Sequence, residues 1–397
     1  MERSRRRKSA RKKVWTAVLL FFFLLLGVGV LKFGQYIPVF FGLFSQEEIK
    51  LVRQAPDKKI NLLLLGVGGG RHDGPNLTDT IIFARIDPTD QKVTLASIPR
   101  DLWIPELDSK INSAYTDAED KSQDSGLSFT KNIVQKVIDQ QIDYAVKIDF
   151  EGFVKAVDMA GGLDVTVENT FDDYAYPLSG REEDTCGLTE DQIASLSAEI
   201  ASGSATEGDS FPCRYEHLHF DKGITHMDGG TALKFVRSRH AMGKEGSDFA
   251  RSKRQEKVIQ AFKDKIFSPG TLMNPVKVMN LLTILQDSIT TDITEDEYDE
   301  FARLAQKMKN AKITSVIIDG GDEELGRFGL LINPPIGPEY NNAWVLSPRI
   351  GNGNFTEIAS YIDCTLKETR CLVGEIGIVT PTPVISSSPK PSVQSAH

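Results

Sequence analysis

The chain has 397 residues, of which 25% are charged and 40% hydrophobic, and a formal net charge of −9. It is long and apolar enough to bury a sizeable core, which excludes a disordered polymer or a small disulfide scaffold. The acidic balance argues against nonspecific nucleic-acid binding, and no helix-turn-helix with a basic recognition helix is evident, so no nucleic acid is expected as a partner.

The charge is unevenly spread. Residues 1–13 form a basic tail with eight Lys/Arg against Glu2, and Val14–Leu31 follows without a charge. A bilayer span needs roughly 17–25 apolar residues. Phe33–Phe44 stays apolar apart from Gln35, so residues 14–44 read as a transmembrane anchor with an interfacial stretch. A cleaved signal peptide is the rival reading, but it calls for a shorter apolar region and a small-x-small site that is not evident. The basic tail sets the N-terminus in the cytoplasm and the main domain outside, a single-pass cell-membrane protein with the lipid bilayer as a partner. Residues 1–32 carry a net +8, and subtracting this from the chain's −9 leaves −17 for residues 33–397. In so acidic an ectodomain, arginines that bind anions must be locally concentrated.

Residues 45–59 read as a polar connector. Ile60–Gly66 (INLLLLG) suits a strand buried on both faces. Asp79–Asp87 and Lys92–Ile98 flank Pro88-Thr89-Asp90-Gln91 and predict a hairpin. A helix over Leu127–Gln140, a strand at Ile142–Ile148, a helix at Phe150–Met159 and a strand at Leu163–Val167 follow. The fold class is α/β, with a mixed central β-sheet flanked by helices. Residues 170–221 break the rhythm and read as a surface insertion, a disulfide-tied hairpin or loop. Helices resume at Asp228–Arg237, Ser247–Phe267, Pro275–Gln286 and Glu295–Lys309, and Ile313–Ile318 is a final core strand. These elements bound a main domain over residues 60–319, a small C-terminal appendage over 320–377 and a Pro/Ser-rich tail over 378–397. Cys186/Cys213 and Cys364/Cys371 suggest two disulfides. Zinc, with His217 and His219 nearby, is the alternative, though no Cys-x-x-Cys spacing supports it.

Residues 236–255, VRSRHAMGKEGSDFARSKRQ, carry the chemistry. With Ser247 at a helix N-terminus, Asp248, Arg251 and Gln255 share one stripe and Arg254 lies at its margin. The same stripe continues as Val258, Ile259, Phe262 and Ile266, a core-facing set. Charged groups placed there need a polar counterpart, because unpaired buried charge costs several kcal/mol. With Arg237 and Arg239 just upstream, the pattern reads either as an anion site of phosphate type or as an internal Arg–Asp network. Gly66–Gly70 lacks both nucleotide-loop patterns; it is a flexible strand exit or a backbone able to approach a phosphate. Asp79 at a strand mouth suits Mg²⁺ shared with substrate phosphates, or a simple turn. Arg100 and Asp101 end the third strand, and Lys110-Ile-Asn112 follows on a loop. No catalytic Ser or Cys motif appears, which leaves charge stabilisation and positioning as the available chemistry.

The ordered set NLLLLGV, DT, SIPRD, KIN-AY, IDYAVKIDFEGFVKAVDMAGGLDV, the H-x-x-G-x-x-A-L-x-F-V-R-x-R block and DFxRxxRQ resembles the LytR–CpsA–Psr (LCP) family of cell-wall glycopolymer ligases, over roughly residues 60–310. The resemblance implies an LCP-like three-layer domain that takes a polyprenyl-pyrophosphate-linked glycan and moves the phosphoglycan onto peptidoglycan or another wall glycan, with Mg²⁺. It implies Asp79 as the metal carboxylate, and Arg100, Arg237, Arg239, Arg251 and Arg254 as the pyrophosphate clamp. Lys110 and Gln255 join the substrate contacts, and Asp248 orients an arginine or accepts the acceptor's proton. The chain departs from the family at Leu77, where many members have arginine, and at Gly68, where an acid is common. Arg71 and Asp73 are the substitutes on offer. An apolar tunnel for the lipid is expected beside the arginines, lined by Ile133, Val134, Val137 and Ile138 and by Phe153, Val154 and Val157, spacings that also fit plain core. A hydrolase using water as acceptor and a non-catalytic lipid-carrier-binding scaffold are the competing functions.

Overall fold

The computed structural model describes residues 37–42, 47–53, 57–70, 74–178, 180–322, 327–367 and 371. The span expected at residues 14–31 and the Pro/Ser-rich tail lie outside these. Among the described residues no helix is long and apolar enough to cross a membrane.

In chain order the elements are α1 (Ile37–Gly42), β1 (Ile60–Val67), β2 (Thr78–Asp87), β3 (Lys92–Ser97), α2 (Ala114–Glu119), α3 (Gly126–Ile138), β4 (Tyr144–Asp149) and α4 (Phe150–Ala160). Next come β5 (Leu163–Val167), β6 (Phe171–Pro177), α5 (Glu190–Ser202), β7 (Tyr215–Phe220), β8 (Gly223–Met227), α6 (Gly229–Arg237) and α7 (Asp248–Ile266). The last are α8 (Pro269–Leu272), α9 (Pro275–Ser288), β9 (Ile289–Thr291), α10 (Tyr298–Lys307), β10 (Lys312–Ile317) and α11 (Thr356–Lys367).

The central sheet has the order β9-β4-β1-β2-β3-β10. β4 runs parallel to β1 and β10 parallel to β3, while β2 is antiparallel to both of its neighbours and β9 to β4. Alternation sorts the side chains into layers. Leu63, Leu65, Ile81, Phe83 and Ala96 pack with Ile133, Val134, Val137 and Ile138 of α3 on one face. On the other, Leu62, Leu64, Ile82, Ala84 and Leu95 meet Ile259 of α7, and Tyr144 and Ile60 meet Leu304 of α10. Burial on both faces is why β1 reads as an unbroken apolar run.

One expectation is corrected here. β5 is not part of the central sheet; it pairs with β8 in a separate two-stranded sheet. Its residues alternate buried and exposed, the pattern of a strand with one wet face. From the stretch read as a C-terminal appendage, Leu330, Leu331, Ile358 and Ile362 belong to the core beneath α3, and Trp103 packs edge-on against Tyr340 at 5.5 Å.

The insertion is a long antiparallel pair, β6 with β7, carrying α5 and tied by the Cys186–Cys213 disulfide. Cys364 and Cys371 form the second bridge. Among the described residues the close grouping of metal-type ligands is Asp184 with Cys186 and Cys213, and those sulfurs are spent on their bridge. His217 and His219 instead hydrogen-bond the Asp172 carboxylate at 2.8 Å each. The zinc alternative finds no thiolate to use. β5 to β8, α4, α6 and α7 enclose a second core around Phe171, Phe220 and Phe235.

Candidate active site

The parallel strands β1, β3, β4 and β10 all end at one edge of the sheet, where open α/β sheets collect ligand-binding groups. β2 begins there, with Gly66 opposite Thr80, so Asp79 stands beside the Ile98-Pro99-Arg100-Asp101 exit of β3. The Arg100 guanidinium bonds the Asp79 carboxylate and also reaches Asp101 at 3.4 Å. Lys110 Nζ donates to Asp101 at 2.8 Å. The loop carrying Lys110 is pinned by its main chain: Asn112 N donates to the Arg100 carbonyl at 3.2 Å and Thr78 Oγ1 to the Asn112 carbonyl at 3.1 Å.

Helix α7 supplies the opposite wall. Ser247 caps it by accepting from Ala250 N, and one and two turns in, Arg251 and Gln255 line a narrow cleft with Asp79 and Arg100. Asp248 is the first residue of α7; its side chain lies outside the described part of the structure, as do Arg71 and Asp73. Gly69 has a packing reason: its φ is +68°, and a Cβ there would sit 2.9 Å from Cβ of Asp149 at the end of β4.

Arg239 completes the cluster. Burial pulls its pKa down to about 10, and the positive charges of Arg251 and Arg100 add to the pull, while Asp79 and Asp101 offset only part of it. No hydrogen-bond or ion-pair partner for its guanidinium is found among the described residues. Arg100 is the contrast: burial would lower its pKa, but Asp79 and Asp101 outweigh burial and raise it. Among the described residues Arg100 and Lys110 thus meet Asp79 and Asp101, while Arg239 is crowded by the like charges of Arg100 and Arg251, a setting that suits an anion.

The other two arginines sit elsewhere. Arg237 lies with its guanidinium 4.3 Å from the Phe150 ring centre, at the β4 exit, and bonds the Tyr176 hydroxyl at 3.3 Å. Arg254 does not enter the cleft. Only 4% exposed, it donates to the carbonyls of Phe235, Ser238 and Glu245 at 3.0, 2.7 and 2.8 Å and lies over the Phe171 ring. It ties α6 and its exit loop to α7, so its contribution is to hold the loop that carries Arg239.

Sequence reasoning missed the anchor of that loop. Asp173, fully buried in β6, accepts from Ser238 Oγ at 2.7 Å and from the main-chain N–H groups of Arg239 and His240 at 3.2 Å each. Its other oxygen accepts from Ala175 N. The one available signal was its place among the aromatic residues of FDDYAY, in a segment read as a surface insertion.

Of the residues offered for a lipid tunnel, those with known packing take the plain-core alternative. Ile133, Val134, Val137 and Ile138 are plain core, and Phe153 and Val157 pack into the second core. The apolar cavity, of about 440 Å³, lies instead among α7, α8, α9 and α10, with Val39, Phe262, Ile266, Leu281 and Phe301 in its walls. At 1.5 Å per residue, Arg251 and Phe262 stand about 16 Å apart along α7, so one helix connects cleft and cavity.

The LytR_cpsA_psr family model matches residues 43–330. The chain belongs to this family. Among LCP relatives it is similar to the polyisoprenyl-teichoic acid–peptidoglycan teichoic acid transferase TagU of Bacillus cereus, 24% identical over 279 residues, covering 69% of this chain and 73% of the relative. The TagU of Oceanobacillus iheyensis is 28% identical over 284 residues, covering 70% and 72%. Cell wall biosynthesis protein LcpA of Corynebacterium glutamicum is 27% identical over 271 residues, covering 63% of this chain and 43% of that protein. The crystal structure of protein gbs0355 from Streptococcus agalactiae shares the fold, with a TM-score of 0.51 at 20% identity over 82% of this chain and 93% of that one.

Proposed function

We propose that this LCP protein is a membrane-anchored transferase that moves a phosphoglycan from a polyprenyl-pyrophosphate carrier onto a cell-wall acceptor such as peptidoglycan. The observation that carries the reading is Arg239, a largely buried guanidinium crowded by Arg251 and Arg100. A pyrophosphate relieves that crowding through charge-assisted hydrogen bonds. The likeness to polyisoprenyl-teichoic acid–peptidoglycan teichoic acid transferases supports a wall glycopolymer as cargo and peptidoglycan as acceptor.

In this reading Arg100, Arg239 and Arg251 hold the pyrophosphate oxygens and stabilise the charge that builds up during transfer. Lys110 and Gln255 add substrate contacts, and Arg237, against Phe150 and Tyr176 outside the cleft, would meet a more distant part of the substrate. Asp79, with Asp101 beside it, offers the hard oxygen donors that Mg²⁺ prefers, and the remaining ligands would be water and phosphate. Bound there, the ion would neutralise phosphate charge. The acceptor hydroxyl attacks the sugar-proximal phosphorus, the bond from that phosphorus to the bridging oxygen breaks, and polyprenyl phosphate leaves. Asp248 is the candidate to take the hydroxyl proton. The 440 Å³ apolar cavity receives part of the prenyl chain, and residues 14–31 anchor the protein with its main domain outside.

The test incubates the full chain with a lipid-pyrophosphate glycan, with and without peptidoglycan oligomers. Glycan-linked oligomer is expected only when acceptor and Mg²⁺ are both present. Release of phosphoglycan at the same rate without acceptor would identify a hydrolase instead.

A further inference from the structure

The rim of the apolar cavity gathers three features that the transfer reaction does not require. Leu272 and Val278 line the cavity from α8 and α9, together with Val39 of α1. Between them, Met273 and Val276 point outward, 83% and 66% exposed. Phe41, on α1 beside Val39, is 66% exposed. Single exposed apolar side chains are ordinary; three of this size bordering the lining of one apolar cavity are not scattered chance.

The third feature is where the chain enters. The uncharged run ends at Leu31 and α1 begins at Ile37. Six residue steps span at most about 21 Å when fully extended. If residues 14–31 cross the bilayer, the membrane surface is within that reach of α1, and α1 is itself part of the cavity wall. α1 packs on α10, with the Asp299 carbonyl 2.7 Å from where a Cβ on Gly42 would lie, so it sits close to the domain and cannot act as a free tether there.

We propose that Met273, Val276 and Phe41 form a membrane-docking rim that inserts into the outer leaflet and sets the cavity open to the acyl region. The domain is thus held at a fixed height and orientation over the bilayer, so a prenyl chain passes from lipid into the cavity without crossing water. The occupant is the bilayer itself, because it is the one apolar phase that the chain's own length confines to this rim. The inference rests on the anchored reading of residues 14–31.

The test uses the full chain in proteoliposomes. All four cysteines are paired in disulfides, so nitroxide labels report only the positions introduced. Labels are placed by Met273→Cys, Val276→Cys, Leu24→Cys within the uncharged run, and Ile336→Cys, an exposed apolar site away from the rim. Collision with oxygen and with a water-soluble nickel chelate is then measured. Labels at 273 and 276 are expected to favour oxygen, as at 24, while the label at 336 favours nickel. If position 24 reads as lipid but 273 and 276 read like 336, the docking rim is overturned and the anchor survives. If position 24 reads as water, the anchor is overturned, and the rim stands or falls on 273 and 276 alone.

Discussion

Replacing Arg239 with methionine should make the unliganded protein more stable and at the same time blind to pyrophosphate. Methionine keeps most of the packed hydrocarbon and deletes the charge. The fall of the Arg239 pKa from the ordinary arginine range to about 10 corresponds to roughly 3 kcal/mol at most. The site is partly open to water, so screening leaves about 1–2 kcal/mol. The sign follows from a base whose folded pKa lies below its unfolded value. Its charge opposes folding at every pH below about 10, and that penalty fades only as pH rises past it. Removing the charge should therefore raise the melting temperature by about 2–6 °C at neutral pH. Thermal unfolding with and without inorganic pyrophosphate and Mg²⁺ is the assay. Wild type should gain stability from the ligand, and Arg239→Met should start higher and gain little. A variant that melts below wild type, or that keeps the full pyrophosphate shift, would refute the claim that Arg239 is an uncompensated cation held for an anion.

Asp173→Ala should cost about 2–4 kcal/mol in urea unfolding, since Ser238 Oγ and two main-chain N–H groups lose their buried acceptor; the surviving folded protein should show a weakened pyrophosphate shift. Burial pushes the Asp101 carboxyl up, but Lys110 and Arg100 outweigh it and hold it below the usual range. Its contribution is therefore complete above the unfolded value of about 4 and is lost as pH falls through the folded value. Asp101→Asn should accordingly flatten the acid limb of a stability–pH profile, and an unchanged limb would count against this network. Ala305→Phe, filling the apolar cavity, should suppress transfer from long-prenyl donors while leaving the pyrophosphate melting shift intact. Equal loss with short and long prenyl chains would argue against a lipid role for the cavity.

Much of the architecture was legible because it is local. The apolar run of β1, the β2–β3 hairpin with its Pro-Thr-Asp-Gln turn, and the helical spacing of Ile133, Val134, Val137 and Ile138 each express a period that the residues carry themselves. The strand-end positions of Asp79, Arg100 and Asp101 follow from the same reading. The alternation in β5 was also legible as the mark of a one-sided strand, though it was read as part of the central sheet. Its partner β8, contributed from 58 residues further on by the pairing of Thr166 with Ile224 and its neighbours, was not.

By itself the sequence determined which residue types could do the chemistry: a concentrated set of guanidiniums, carboxylates at strand ends and one uncharged run near the N-terminus. Tertiary structure alone decided their division of labour. Arg239 and Arg254 are indistinguishable in a motif, yet one is crowded by the charges of Arg251 and Arg100 and the other spends its donors on the carbonyls of Phe235, Ser238 and Glu245. Asp173 became an anchor, and the apolar cavity formed between α7 and α10, only through contacts between segments far apart in the chain. The physical reason is one of range. Backbone periodicity is set by neighbours a few residues away, whereas burial, charge crowding and cavity shape depend on what the rest of the fold packs against each side chain.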